Sequence, residues 1–310
     1  MAVTNMKFIK IIGVDFLNLT EETVASLNDL ADEVKIYDDD PETGDEVIKR
    51  IDDADCVLCS WRTRIDDSIL NRCKNVKYIG LCCTSDDNID ISNIYERDIT
   101  VTNISHYCDE ATAEYMFSQL LSLVKGLGKC QWKEQSSELN GKTIGIVGLG
   151  GVGKSVAKIA LGFGMNVQYN SRTRKPEFEE KGCKYLELDE LLGSSNIVSL
   201  NTPENTIVLS RDKFALIPEG AILMNNTVGK AYEAEDFADW ISNRKNFAII
   251  DSVIDGELIG DFPDLPNVVY MDVVGGWSIE SKKRFSDIAI MNIDSYLKGN
   301  SINVVQKSNY

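Results

Sequence analysis

Gly148-Leu-Gly150-Gly-Val-Gly153 constrains this chain more than any other stretch, because of what stands on either side of it. Before it comes Lys142-Thr-Ile-Gly-Ile-Val147, a short apolar run of the kind that forms a strand buried on both faces of a parallel sheet. After it, residues from Lys154 to Phe163 read as a helix. Strand, glycine turn and helix in that order make a dinucleotide-binding fingerprint. The glycines permit a tight turn and close approach of the backbone. The helix N-terminus offers open N–H groups and a positive dipole end to a pyrophosphate. Cofactor contacts are therefore expected at Gly148, Gly150, Gly151, Val152 and Gly153.

The following strand, Asn166-Val-Gln-Tyr169, runs into Asn170-Ser171-Arg172-Thr173-Arg174-Lys175. NAD-binding versions of this unit end the strand on an acidic residue that hydrogen-bonds the ribose hydroxyls, and none stands here. Ser171, Arg172, Thr173 and Arg174 put hydroxyls and cations where the 2′-phosphate of NADP would lie. A guanidinium meets a phosphate through two parallel hydrogen bonds. NADP is the expected cofactor, with NAD as second choice. The plainer alternative is a solvated basic turn, which is less expected in a chain of net charge −17.

That charge argues against nucleic acid and anionic membrane surfaces as partners. A length of 310 residues allows two domains with their own cores. Met1-Ala-Val-Thr-Asn5 leads directly into a strand-like run, so no secretory leader is expected, and no apolar stretch approaches a membrane span. Eight cysteines without a framework spacing point to a reducing, cytoplasmic setting. Cys56-Val-Leu-Cys59 has CxxC form but falls in a strand-like run, where positions i and i+3 face opposite ways. Core thiols are expected there, and no metal site.

Strand and helix patterns alternate along the whole chain. Strands are expected at residues 7–14, 34–37, 56–59, 76–81 and 99–102, with helices at 20–30, 45–53, 66–72 and 91–97. Thr20, followed by Glu21 and Glu22, reads as a helix N-cap. A long helix over 109–127 leads towards a second unit beginning near Leu139. Within that unit, strands are expected at 196–201, 221–225, 248–251 and 268–271, and helices at 189–193, 210–216 and 234–242. A helix at about 281–297 closes the chain. The fold class is α/β, with two doubly wound units and chemistry expected in the cleft between them.

Several phrases resemble the D-isomer-specific 2-hydroxyacid dehydrogenases across almost the whole chain. They are Asp87-Asn-Ile-Asp90, Val101-Thr-Asn103, Ala113-Glu114, Leu139 to Gly150, Leu200-Asn-Thr-Pro203 and Gly220 to Asn225. The resemblance implies a Rossmann-type cofactor domain over residues 105–289, inserted into a flavodoxin-like substrate domain made of 1–104 and 290–310. It implies that Thr202, Pro203, Thr227 and Asp251 also line the cofactor, and that the protein is a homodimer acting on a small molecule.

The family's catalytic side chains do not carry over. Its substrate-gripping arginine falls on Val228, in Asn225-Asn-Thr-Val-Gly229. Its glutamate falls on Gly256, between Asp255 and Glu257, and its histidine falls on Val273. The substrate loop, usually Gly-Val-Gly, reads Cys83-Thr84-Ser85. Reducing a ketone needs a proton as well as a hydride, and valine supplies none. A carboxylate entering an apolar cleft needs a paired cation, and Val228 offers none.

Candidates to replace that chemistry are few. His106, the chain's one histidine, lies at the expected hinge beside Tyr107. It is either a relocated proton donor or a hydrogen-bonded structural residue. Asp272 is either a replacement acid or a loop cap, and Lys230 is a cation for an acidic substrate. Arg62, Thr84, Ser85 and Trp277 are the expected substrate contacts; an exposed basic turn is the equal alternative for Arg62, and simple packing for Trp277. Three functions follow: an NADP(H)-dependent reductase with a non-standard site, an inactive nucleotide-binding sensor, or a dimeric scaffold without turnover.

Overall fold

The alternating pattern folds into two parallel sheets, each within its own compact unit. The computed structural model describes residues 7–90, 94–251 and 262–305. One unit comprises Met1–Tyr107 with Ile279–Tyr310, and the other Cys108–Ser278.

In the first unit, strands β1 (Phe8–Gly13), β2 (Ala31–Ile36), β3 (Cys56–Cys59), β4 (Tyr78–Leu81) and β5 (Thr100–Asn103) form a sheet of order β2-β1-β3-β4-β5. Every pairing is parallel. Helices α1 (Glu21–Leu27), α2 (Gly44–Ile51) and α3 (Asp67–Leu70) connect them. Thr20 caps α1, its side chain accepting a hydrogen bond from the Thr23 N–H, a contact worth about 1 kcal/mol. Of the helix expected over 91–97, residues 91–93 lie outside the described ones and Tyr95–Arg97 is a 3₁₀ turn.

The last long helix returns to this unit as one piece. It runs Ile279–Leu297 without a break, so the return falls at residue 279 and not at 290, the boundary the resemblance implies. Ser286 Oγ accepts from the Thr20 N–H at 3.2 Å, and Asn292 donates to the Asn103 carbonyl at 2.9 Å. Tyr296 stacks on Phe8 with centroids 5.4 Å apart.

The second unit opens with helix α4 (Asp109–Lys125), ended by Gly126 at φ 68°. Strands β6 (Thr143–Val147), β7 (Asn166–Asn170), β8 (Lys184–Tyr185), β9 (Ile197–Leu200), β10 (Ile222–Asn225), β11 (Phe247–Ile250) and β12 (Val268–Tyr270) follow. They form a parallel sheet of order β12-β11-β10-β9-β6-β7-β8. Helix α5 (Gly151–Gly162) joins β6 to β7. It starts three residues before the expected Lys154, because extended Gly150 (φ −80°, ψ −152°) serves as its N-cap and the last glycine of the fingerprint lies in its first turn.

Short helices α6 (Pro176–Glu179), α7 (Leu188–Ser194) and α8 (Arg211–Phe214), then α9 (Ala234–Ser242), complete the unit. Strand side chains alternate between two cores. Ile144, Ile146, Ile222, Met224 and Ile249 pack under α4 and α5. Val198, Leu200, Leu223, Ala248 and Ile250 pack under α7 and α9. Strand order reverses at β6, which pairs with β7 on one side and β9 on the other. A crevice beyond the carboxyl ends of the strands opens at such a reversal, where open α/β sheets bind ligands.

Candidate functional site

Each fingerprint glycine has a separate steric reason. Gly148 stands at φ 90°, where a Cβ would also come 2.3 Å from the Asn201 carbonyl oxygen. A Cβ on Gly153 would come 2.0 Å from the Gly148 oxygen, so helix α5 can pack this close only with glycine there. Gly151 faces the Asp109 carboxylate, 2.0 Å from where its Cβ would be. At Gly150 nothing lies within 4 Å of the added carbon. The loop therefore leaves open space at one glycine only, beside the N-terminus of α5, where the N-cap Gly150 brings no side chain. These residues fit a dinucleotide's pyrophosphate, with the backbone N–H groups of the first helical turn as donors. Val152 is half-buried against the core beneath.

Past β7, the basic turn is organised by Tyr169. Its hydroxyl accepts from the Lys175 N–H at 2.8 Å and donates to Glu179 at 2.7 Å. Arg174 makes a two-pronged ion pair with the same Glu179 and lies 5.1 Å from the Tyr185 ring centroid. The Arg174 contact holds the Glu179 carboxyl below its ordinary range. Arg172 and Thr173 are exposed and Ser171 is half-buried. Of the two arginines read from the sequence, Arg174 is thus already engaged by a carboxylate of its own turn.

Thr202 and Thr227 are brought together, their hydroxyls 3.3 Å apart, with Thr227 buried and Pro203 exposed. Asp251 is buried at the end of β11 and accepts from the Gly275 N–H at 3.3 Å. Tyr115 lies against Gly275, and burial, with Asp251 nearby, pushes its hydroxyl up to about 12.

Beyond β10 and β12 the surface is apolar. Val228 and Val273 are 46% and 52% exposed, with Met271 and Val274 also exposed. Asp272 is exposed, and Lys230 and Trp277 are half-buried. Asp255, Gly256 and Glu257 lie outside the described residues.

The remaining candidates belong to the first unit. His106 is exposed in a left-handed conformation (φ 63°). Tyr107 packs edge-on against Phe285, and its carbonyl accepts from Arg284. Arg62 is paired with Asp40 at 2.8 Å and donates to the Phe16 carbonyl. Thr84 is exposed, and the Ser85 hydroxyl accepts from the Asp87 N–H at 3.2 Å. Cys56 and Cys59 are buried free thiols, pushed well above their ordinary range by burial.

Two residues that the sequence reading passed over stand out. Asn226, just past β10, is 8% exposed, and its side-chain oxygen has no partner among the described residues. Asn201, just past β9, donates to the Ser199 carbonyl and hydroxyl, but its own oxygen is also buried without a partner among the described residues. The signal was available: an amide directly after a buried apolar strand, at the carboxyl edge where ligands bind.

Residues 118–272 match the family model of the NAD-binding domain of D-isomer-specific 2-hydroxyacid dehydrogenases. A hydroxypyruvate reductase of Blautia hydrogenotrophica is 31% identical over 285 residues, covering 85% of this chain and 88% of that protein. A glyoxylate reductase of Thermococcus onnurineus is 32% identical over 66% of this chain and 67% of its own length. Among solved structures, an acyclic imino acid reductase (Bsp5) in complex with NADPH and D-Arg superposes with a TM-score of 0.84. It is 25% identical and covers 96% of this chain and all of that one.

Proposed function

The chain belongs to the D-isomer-specific 2-hydroxyacid dehydrogenase family, and on that premise we propose that it is an NADP(H)-dependent reductase whose acceptor is not a simple 2-keto acid. The observation that carries this reading is the pairing of a sterically complete glycine loop with exposed valines at positions 228 and 273. Bound NADPH supplies a hydride. The protein supplies its cradle at Gly150, and Arg172 with Ser171 and Thr173 for the 2′-phosphate.

An acceptor with an imine, a conjugated double bond or a larger carbonyl group suits the apolar surface of Val228, Met271 and Val273. The imino acid reductase among the structural neighbours, crystallised with NADPH, gives the C=N class particular support. For a carbonyl acceptor, the proton would come from His106, Tyr107, Asp272 or Lys230. The working form in this reading is a cytoplasmic homodimer.

The test is to measure NADPH and NADH binding by calorimetry, then hydride transfer to a panel of carbonyl, imine and enoyl acceptors. Tighter NADPH binding and turnover of at least one non-keto-acid acceptor are expected. If the active acceptor is a carbonyl compound, His106→Ala lowers turnover about 10²-fold and leaves NADPH affinity intact. Binding without turnover of any acceptor would favour the sensor, the second reading.

A further inference from the structure

We infer that the amino edge of the seven-stranded sheet holds a second ligand site, one that takes a small, doubly charged oxyanion such as a phosphate group or a dicarboxylate. The inference does not depend on the reductase reading.

A cavity of about 340 Å³ opens at the starts of three adjacent strands. Lys142, Asn196 and Ala221 line it, and they stand directly before β6, β9 and β10. The dinucleotide cradle lies past the other end of β6, a strand of five residues, which spans about 16 Å. The two sites therefore occupy opposite edges of one sheet.

Buried Trp132 forms one wall, and its indole N–H donates to the Gly220 carbonyl at 2.7 Å. The Lys133 ammonium lies 4.5 Å from the centroid of that ring and about as close to Gly220, where an added Cβ would come 3.5 Å from it. Glu219 is the acidic member of the lining, but both its oxygens are claimed. Lys245 donates to one at 2.6 Å and Asn243 to the other at 3.1 Å. The Lys245 contact holds the Glu219 carboxyl below its ordinary range. Lys133 and Lys142 have no ion-pair partner among the described residues. In a chain whose Asp and Glu outnumber Lys and Arg by 49 to 32, two unpaired ammonium groups at one cavity stand out. With Glu219 neutralised by Lys245, their charges are uncompensated.

The hydrogen-bonding groups select the same ligand. Asn196 Oδ1 accepts from the Thr143 N–H at 2.9 Å, so only its amide N–H groups remain for a ligand. The carbonyls of Lys133, Gly141, Lys142 and Gly220 each already accept a hydrogen bond. Open donors beside occupied acceptors suit a ligand that brings lone pairs, and a carboxylate or phosphate brings them with charge. A cation would meet two ammonium groups. Those two charges are matched better by a dianion than by a monoanion.

The test is calorimetry of the intact chain with inorganic phosphate, succinate and acetate at low ionic strength, with and without excess NADPH. Phosphate or succinate should bind in one saturable event that persists in NADPH, with acetate about tenfold weaker or more. Tighter binding of phosphate would assign a phosphate ester as the ligand class, and tighter binding of succinate a dicarboxylate. The double variant Lys133→Ala/Lys142→Ala should weaken the event at least tenfold. The double variant Lys133→Arg/Lys142→Arg keeps both charges and should hold it within about threefold, which guards against a folding artefact. Lys74→Ala, which removes an exposed cation of the first unit, should leave the affinity within twofold.

Absence of binding for both dianions would overturn the inference, as would equal affinity in the double alanine variant or for acetate. Displacement by NADPH would also overturn it, by placing the anion in the dinucleotide cradle. None of these readouts uses hydride transfer, so failure of the reductase reading leaves them unmoved.

Discussion

At one end of the seven-stranded sheet's carboxyl edge, around β6 and β7, the site is built from backbone. At the other, past β10 and β12, it is built from side chains. The first end keeps every part of a dinucleotide cradle: Gly148 at φ 90°, open space at Gly150, close packing at Gly153. The second end has Val228 and Val273 exposed, at the positions where the resemblance implies a charge and a proton donor. A site made of backbone is written into the fold, because substitution there collides with the strands themselves. A site made of side chains projecting beyond strand ends can be exchanged without touching the core, so the chemistry can change while the fold and its cofactor loop stay.

The sharpest way to break that contrast is at the glycines. Gly150→Val should abolish measurable NADPH binding, a loss of 10²-fold or more, by filling the cradle. The apo-protein's Tm should stay within about 2 °C, since the backbone there is extended and an added Cβ meets nothing within 4 Å. Gly148→Ala should instead destabilise the protein itself by roughly 1–3 kcal/mol, through left-handed strain and collision with Asn201. Equal effects of the two on Tm would show that the loop is not divided in this way.

Next in size is the basic turn. Arg172→Ala should weaken NADPH by about 1–3 kcal/mol and leave NADH nearly unchanged. Arg174→Ala should alter the NADPH-to-NADH ratio far less, because its guanidinium is held by Glu179. Calorimetric titration of both variants with both cofactors decides between them.

The smallest effect concerns Asp109, whose carboxylate faces Gly151 at the start of α5. A negative charge beside a pyrophosphate site opposes binding. Asp109→Asn should tighten NADPH by about 0.5–1 kcal/mol in low salt, and the gain should fade as salt rises.

The same division explains what the sequence disclosed. Buried parallel strands are continuous apolar runs, so Cys56–Cys59 and Ile222–Asn225 could be read directly. The Thr20 cap and the glycine loop are local patterns, and both formed. Long-range partnerships were hidden. Nothing in Ser171 to Lys175 alone shows that Glu179 claims Arg174 through a turn of helix and the Tyr169 hydroxyl. Arg62 likewise finds Asp40, from the loop after β2, two strands away in the sheet. The return at residue 279 was blurred because helix periodicity marks an element and not the sheet it packs on. Asn226 was passed over because an asparagine in sequence reads as a turn residue, although its place directly after a buried apolar strand was a signal.

The most direct measurement is steady-state consumption of NADPH with glyoxylate and with hydroxypyruvate, the substrates in the names of the relatives. In the proposed reading valine stands for the proton donor at 273 and for the carboxylate clamp at 228, so turnover of either should fall about 10²–10⁴-fold below that of an ordinary enzyme. A kcat of about 10 s⁻¹ on either substrate would contradict the account, and would show that the valine end of the sheet still performs the family's keto-acid chemistry.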